Sequence, residues 1–262
     1  MANETAPPTV LIIAGNDPSG GAGLAADIQA VSALGAHPAP VVAALTVQDT
    51  RDVTQVETVA PRLVTAQAAA VLNDQPVAAI KLGLLGSVET GKAVAELLRQ
   101  WPGIPVVLDP VLVASGGGEL AEAGLVTTYL EQLLPLTTLA TPNAFESRRL
   151  APEATDTEGR AAALLDLGCQ YVLVKGADEN TPDVRNVLFG ADGNYKEFHW
   201  PRLPGSYHGS GCTLASAIAA LLARGYAMQD AVADAQQITW EALQHGWQPG
   251  KGQMIPKRQL HS

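Results

Sequence analysis

A chain of 262 residues, 47% apolar and 16% charged, can bury one full core, and a single domain over 1–262 with an ordered part at about 9–250 is expected. A formal net charge of −10 with only 5% aromatic residues argues against a nucleic-acid footprint, which needs clustered Lys and Arg and often stacking rings. No apolar run approaches the roughly 18 to 20 residues of a membrane span, and the first ten residues carry no Lys or Arg for a signal peptide, so no membrane contact and a cytoplasmic location are expected.

Short apolar runs closed by Gly, Pro or Asn alternate with helical patterns. TVLIIAG (9–15), PVVAALTV (40–47), VAAIKLG (77–83), IPVVLDP (104–110), TTLATPN (137–143) and QYVLVKG (170–176) read as buried strands. Between them, Leu24, Ile28, Val31 and Leu34 fall on one helical stripe, and VETGKAVAELLRQW carries another. The alternation predicts an α/β fold with an open, mostly parallel sheet covered on both faces. Further on, Asp192–Gly193 between two alternating runs predicts a hairpin at an antiparallel edge, and helices at about 211–223 and 227–245 close the pattern. The two cysteines form no disulfide framework, and Cys169, inside CQYVLVK, reads as structural. In such sheets ligands bind beyond the carboxyl ends of the strands, which here hold Asn16, Asp17, Gln48, Gly83, Asp109, Asn143 and Lys175.

Two glycine loops follow strands or open helices. The first, AGNDPSGGAGLAAD (14–27), contains Gly21-x-Gly23-x-x-Ala26, with Asp49 at about the distance a ribose-binding carboxylate would take. Against a dinucleotide site, NDPSG separates the strand end from those glycines, whereas the fingerprint's first glycine turns directly off the strand. A phosphate-binding P-loop is excluded, because no Gly-Lys-Ser/Thr occurs and the first basic residue is Arg51. What the loop can do is bring backbone against a small flat ligand. Asp27, one turn past the glycines, suits either a ligand hydroxyl or the dipole of its own helix.

The second loop, HGSGCT, opens a helix. Successive amides of Gly209, Ser210, Gly211 and Cys212 would converge on an anion there, with the helix dipole adding to the attraction. The same field predicts a Cys212 thiol lowered from about 8.5 to about 7, half ionised at neutral pH and able to take a proton from an attacking hydroxyl. A plain helix-start role accounts for the residue as well.

Together, IIAGNDPSGGAGLAADIQAVSALGAH, ALTVQDTRDV, KLGLLGS, VLDPVL, TPNAFE, VLVKGAD and HGSGCTLASAIAALLARG resemble the hydroxymethylpyrimidine/phosphomethylpyrimidine kinases of thiamine synthesis, in the ribokinase-like superfamily. The resemblance runs in order from about residue 9 to 250. It implies a three-layer α/β/α sandwich and transfer of the γ-phosphoryl group of Mg-ATP to 4-amino-5-hydroxymethyl-2-methylpyrimidine and then to its monophosphate. By motif, Cys212 is similar to the family's base, with the Gly209, Ser210, Gly211 and Cys212 amides stabilising the transferring group. Gln48 corresponds to the reader of the pyrimidine edge, Gly15, Ala22 and Asp27 to the substrate loop, and Leu84 and Val111 to the apolar walls. On the ATP side, Asn143 and Glu146 match an Asn-x-x-Glu associated with Mg²⁺ and its waters, Lys175 a lysine near the phosphates, and Asp109 a structural or metal-shell position. The resemblance also implies a homodimer.

The chain departs from that pattern at Ser210, Asp49 and Phe145, at KGAD (175–178), and at Ser115–Gly117, where relatives carry a Lys-Ser-Gly. Three classes of function compete. A small-molecule kinase accounts for both glycine loops, the polar strand ends and Cys212, with pyridoxal kinase as the nearest alternative substrate class. A dinucleotide-dependent oxidoreductase accounts only for the first loop, and a non-enzymatic nucleotide sensor would not need the cysteine.

Overall fold

A computed structural model describes residues 6–112 and 124–259. Among them, one sheet contains β1 (Thr9–Asn16), β2 (His37–Gln48), β3 (Val53–Thr58), β4 (Val77–Leu82), β5 (Val106–Leu108), β6 (Leu139–Ala140), β7 (Tyr171–Val174), β8 (Asp183–Gly190) and β9 (Tyr195–Pro201). Their spatial order is β3-β2-β1-β4-β5-β6-β7-β8-β9. The run from β2 to β7 is parallel, while β3 at one side and the β8–β9 hairpin at the other are antiparallel. The runs read as strands from sequence all contribute, though IPVVLDP and TTLATPN supply ladders of only three and two residues. The hairpin turns at Asp192–Gly193, where Gly193 takes φ +82°, a left-handed value that glycine adopts without strain. The strand the sequence reading missed, β3, is VTQVET, a mostly exposed edge without the apolar run that marked the others.

The helices are α1 (Gly23–Ala33), α2 (Pro61–Asp74), α3 (Val88–Arg99), α4 (Leu125–Thr128, continuing as a π turn over Tyr129–Leu133), α5 (Ala144–Leu150), α6 (Thr157–Asp166), α7 (Ser210–Ala223) and α8 (Met228–Gln244). Alternate side chains of β1 define the three layers. Val10, Ile12 and Ala14 pack with Leu24 and Val31 of α1, the small residues of α7 and Ala231, Val232 and Ala235 of α8. Leu11 and Ile13 pack on the opposite face with Val64, Ala68 and Leu72 of α2, Val94 of α3, Leu150 of α5 and Leu164 of α6. Each such side chain withdrawn from water contributes about 1.5–3 kcal/mol, which is why these strands read as continuous apolar runs. Small residues let α7 lie close to its neighbours: Ala215, Ala217, Ala219 and Ala220 are all buried.

The strand order reverses at β1, with β2 on one side and β4 on the other, so the crevice beyond the ends of β1 and β4 is the topological switch point. After α8 the chain doubles back, pairing Trp247 with Ile255 and Tyr207 with Met254. This return lays residues 253–255 against the loop that precedes α7.

Candidate active site

A cleft of about 490 Å³ opens over the carboxyl ends of the parallel strands. Gly15, Ala22, Gln48, Leu84 and Val111 line it, as do Asp109, Asn143, Glu146 and Lys175 and the whole stretch Gly209, Ser210, Gly211 and Cys212. Residues spread over almost 200 positions of sequence are thus brought to one cavity. Ser115–Gly117 lies outside the described residues.

The two glycine loops meet backbone to backbone. Gly209 precedes α7 with φ +74°, and a β-carbon there would run into Gly21 O. Among the described residues no side chain caps the start of α7, so the dipole and amides of its first turn face the cleft. At Gly211 an added β-carbon would lie 3.0 Å from Lys175 Nζ and 3.7 Å from Asp109 Oδ2. The first turn therefore touches the first glycine loop at one end and a charged pair at the other. In that loop Asp17, 3% exposed, accepts from Ser19 N at 2.7 Å, Ser19 Oγ at 3.0 Å, Ala22 N at 2.7 Å and His208 Nε2 at 2.9 Å. Burial would raise its pKa, but these hydrogen bonds, that of His208 foremost, hold the Asp17 carboxyl below its ordinary value.

The charged pair is Lys175 Nζ to Asp109 Oδ1 at 2.9 Å, with Thr141 Oγ1 donating to the same oxygen at 3.1 Å. Burial pushes Asp109 upward, yet Lys175 and Lys81 outweigh it and keep the carboxyl below the usual range. Asn143 and Glu146 form a capping box at α5: Asn143 Oδ1 accepts from Glu146 N at 2.7 Å and Glu146 Oε2 from Asn143 N at 2.8 Å. The Asn143 oxygen is thus committed to the helix cap. Burial pushes Glu146 up to about 7 and Asp109 adds to the rise, while Lys175 opposes it. Asp178, the departure in KGAD, accepts from Ala144 N at 3.1 Å and Phe145 N at 2.7 Å and so completes the start of α5.

Two expectations need correction. Asp27 does not reach the cleft: it is fully buried on α1, where both oxygens accept from Lys81 Nζ at 2.9 and 2.8 Å and Oδ1 also accepts from Ser216 Oγ at 2.7 Å. Spacing placed it one turn past the glycines but could not show which way that turn faces. The Cys212 thiol is not lowered. Burial pushes it up to about 11, and Asp27 and Asp109 add to the rise against Lys81 and the Gly23 amide. Amides and a dipole were legible in HGSGCT; two carboxylates arriving from α1 and β5 were not. Asp49, for its part, holds a turn, accepting from Arg51 N at 2.7 Å and Asp52 N at 3.1 Å.

The far end of the cleft was not anticipated. Trp200 of β9 and Trp240 of α8 stack with centroids 6.1 Å apart. Gln236 Oε1 accepts from Trp200 Nε1 at 3.2 Å and Asn186 Nδ2 at 2.7 Å, and Thr239 Oγ1 is buried beside them without a hydrogen-bond partner among the described residues. Polar residues in an Ala-rich helix and a tryptophan in an edge strand gave no motif to find. Among the described residues no group of three His, Cys, Asp or Glu side chains converges as a metal cage. Asp109 and Glu146 are nevertheless two carboxylates on one cavity, a donor set that suits Mg²⁺ completed by phosphate oxygens and water. Among the described residues no helix is long and apolar enough to cross a membrane.

A three-layer α/β/α sandwich with an uncapped glycine-rich helix start at its switch point defines the ribokinase-like class of small-molecule kinases. A family model described as phosphomethylpyrimidine kinase matches residues 17–257, and the chain belongs to that family. It is 41% identical over 249 residues to a bifunctional thiamine biosynthesis protein of Geobacter sulfurreducens, covering 93% of this chain and 51% of that protein. To the hydroxymethylpyrimidine/phosphomethylpyrimidine kinase of Rhizobium meliloti it is 39% identical over 244 residues, 89% of each chain. The chain thus spans about half of the bifunctional relative and most of the single-function one. Its structure is similar to that of a pyridoxal kinase from Staphylococcus aureus in complex with AMP-PCP and pyridoxal, with a TM-score of 0.87 at 26% identity over 97% of this chain and 94% of that one.

Proposed function

We propose that this kinase transfers the γ-phosphoryl group of ATP to the hydroxymethyl oxygen of 4-amino-5-hydroxymethyl-2-methylpyrimidine, and a second one to the resulting monophosphate, in thiamine biosynthesis. One observation carries the reading: the first turn of α7 touches the substrate loop at Gly209 and the Asp109–Lys175 pair at Gly211. Acceptor and donor can therefore meet across a single set of amides. Gln48 offers both a donor and an acceptor to an aminopyrimidine edge, and Leu84 and Val111 supply the apolar walls.

In each transfer the acceptor oxygen bonds to the γ-phosphorus, the bond to the β,γ-bridging oxygen breaks, and ADP leaves. The amides of Gly209 to Cys212 and the Lys175 ammonium stabilise charge on the transferring group, where one well-placed donor is typically worth about 3–4 kcal/mol of barrier. In the first transfer the hydroxymethyl proton goes to the Cys212 sulfur. The thiolate is scarce at neutral pH, but its high pKa also makes it the stronger base. Asp109 and Glu146 would hold Mg²⁺, with Asn143 fixing Glu146 through the cap; the ion, when bound, neutralises phosphate charge. The nucleotide base fits the Trp200–Gln236 end. An ATP-dependent step of this kind belongs in the cytoplasm, and the assembly that accompanies the reading is a homodimer.

Pyridoxal is the second substrate to test, because the pyridoxal kinase above shares the fold over nearly the whole chain. ADP release measured with hydroxymethylpyrimidine, its monophosphate and pyridoxal separates the two. The expected result is a higher kcat/KM for both pyrimidines than for pyridoxal. Turnover of pyridoxal alone would replace this reading.

A further inference from the structure

Both glycine loops are tied to a buried arginine that comes from a distant part of the chain. Arg258 is 3% exposed. Its guanidinium donates to Gly21 O in the substrate loop, to Thr213 Oγ1 of α7 at 2.7 Å and to Gln29 Oε1 of α1 at 3.3 Å. Thr213 Oγ1 donates in turn to Gly209 O at 2.7 Å, so the tie runs on into the backbone of the second loop. A β-carbon at Gly209 would lie 2.8 Å from Arg258 Nη2, which seats the guanidinium directly against the junction. The segment that carries the arginine is anchored at its other end. His208 N donates to Met254 O at 2.8 Å, Met254 N to Ser206 O at 2.9 Å, and Gln253 N to Thr50 O at 2.7 Å, two residues past Gln48.

Burying a guanidinium costs desolvation that a hydrocarbon of the same size would avoid. What the arginine offers instead is a rigid planar fork that holds several oxygens in fixed relation. Phosphoryl transfer requires that fixity, since a misplacement of about 1 Å between acceptor and stabilising groups can cost about 100-fold in rate. We propose that Arg258 is a positioning residue: it holds the substrate loop at Gly21 against the anion loop at Gly209, so that the acceptor oxygen and the amide cluster keep one separation. The inference rests on the kinase reading above and extends it to a residue that touches neither substrate.

Arg258→Met keeps the apolar stem and removes the fork. Its kcat for hydroxymethylpyrimidine should fall about 100-fold while KM for ATP changes by less than about threefold, because the arginine's hydrogen bonds to Gly21 O, Thr213 Oγ1 and Gln29 Oε1 set the spacing of the two loops and none of them goes to Asp109, Lys175, Asn143 or Glu146, the groups assigned to the nucleotide. Amide hydrogen exchange should quicken together at Gly20–Gly23 and Gly209–Gly211, and Arg258→Lys, with fewer and less directed donors, should recover part of kcat. An unchanged kcat in the Met variant overturns the proposal. So does faster exchange spread evenly over the sheet, or loosening of one loop without the other. If the unsubstituted chain releases no ADP with the pyrimidine, the substrate assignment falls on its own, and the paired exchange of the two loops still decides whether Arg258 locks them.

Discussion

Cys212 sits among the amides of an uncapped helix start, yet its thiol is pushed up to about 11, because burial, with Asp27 and Asp109 adding to it, outweighs Lys81, the other cations Lys175 and Arg258, and the Gly23 amide. With that direction of shift the thiolate is the minor form at pH 7. If this thiolate accepts the hydroxymethyl proton, the single-turnover rate of the first phosphorylation should rise about tenfold per pH unit between about pH 6 and 9. A flat profile over that range would transfer the role to Asp109, which is already ionised there. The second phosphorylation needs no such base, since a phosphate monoester with its second pKa near 6 is largely ionised at neutral pH. Cys212→Ala should therefore slow the first step by at least about 100-fold and the second far less. Equal losses in the two single-turnover rates would remove the sulfur from the proton transfer.

Among the elements, the start of α5 shows how a cap and a site share atoms. Glu146 closes the capping box and faces the cleft, with burial holding its pKa near 7, above the ordinary 4.5. Its protonation therefore favours the folded state fully below about pH 4.5, and that contribution is lost as pH rises through 7, to the extent of about 3 kcal/mol. Glu146→Gln retains a side chain that can serve at the third helical position, so urea midpoints at about pH 5 and pH 8 should lie closer together in the variant than in the parent. A gap of unchanged size would assign the pH dependence elsewhere. The sequence made such elements legible wherever one periodicity dominated. TVLIIAG and QYVLVKG are buried on both faces and read as strands from composition alone, and HGSGCT marked a helix start because glycines and a small polar residue leave amides bare. VTQVET carries too little apolar character to stand out, and Asp27 shows the other limit, since position along a helix does not reveal which neighbour a carboxylate meets. Gln236, Thr239 and Trp240 belong to one wall only because α8 crosses the end of β9, and neither run announces that contact.

Across the whole molecule, one charged cluster joins the layers. Asp27 of α1, Lys81 of β4 and Ser216 of α7 meet with no exposed surface on either ion, binding two helices of one layer to the sheet directly beneath the first turn of α7. Lys81 remains protonated despite its burial, because Asp27, Cys212 and Asp109 all favour its charge. Breaking such a pair strands the surviving group in a medium that solvates it poorly, at a cost of about 3–5 kcal/mol, whereas replacing both partners by hydrocarbon of similar volume is often neutral. Lys81→Met alone should lower the urea midpoint sharply, and Asp27→Leu combined with Lys81→Met should restore more than half of the loss. The pair also has an electrostatic consequence that packing alone would not produce. Lys81 is the principal cation drawing the Cys212 thiol downward and Asp27 the first carboxylate raising it, so removing the lysine alone should shift the rise of the first-step rate to still higher pH. Removing both should return the profile towards its original position. A midpoint that falls while the pH profile stays in place would confine the pair to holding the layers together.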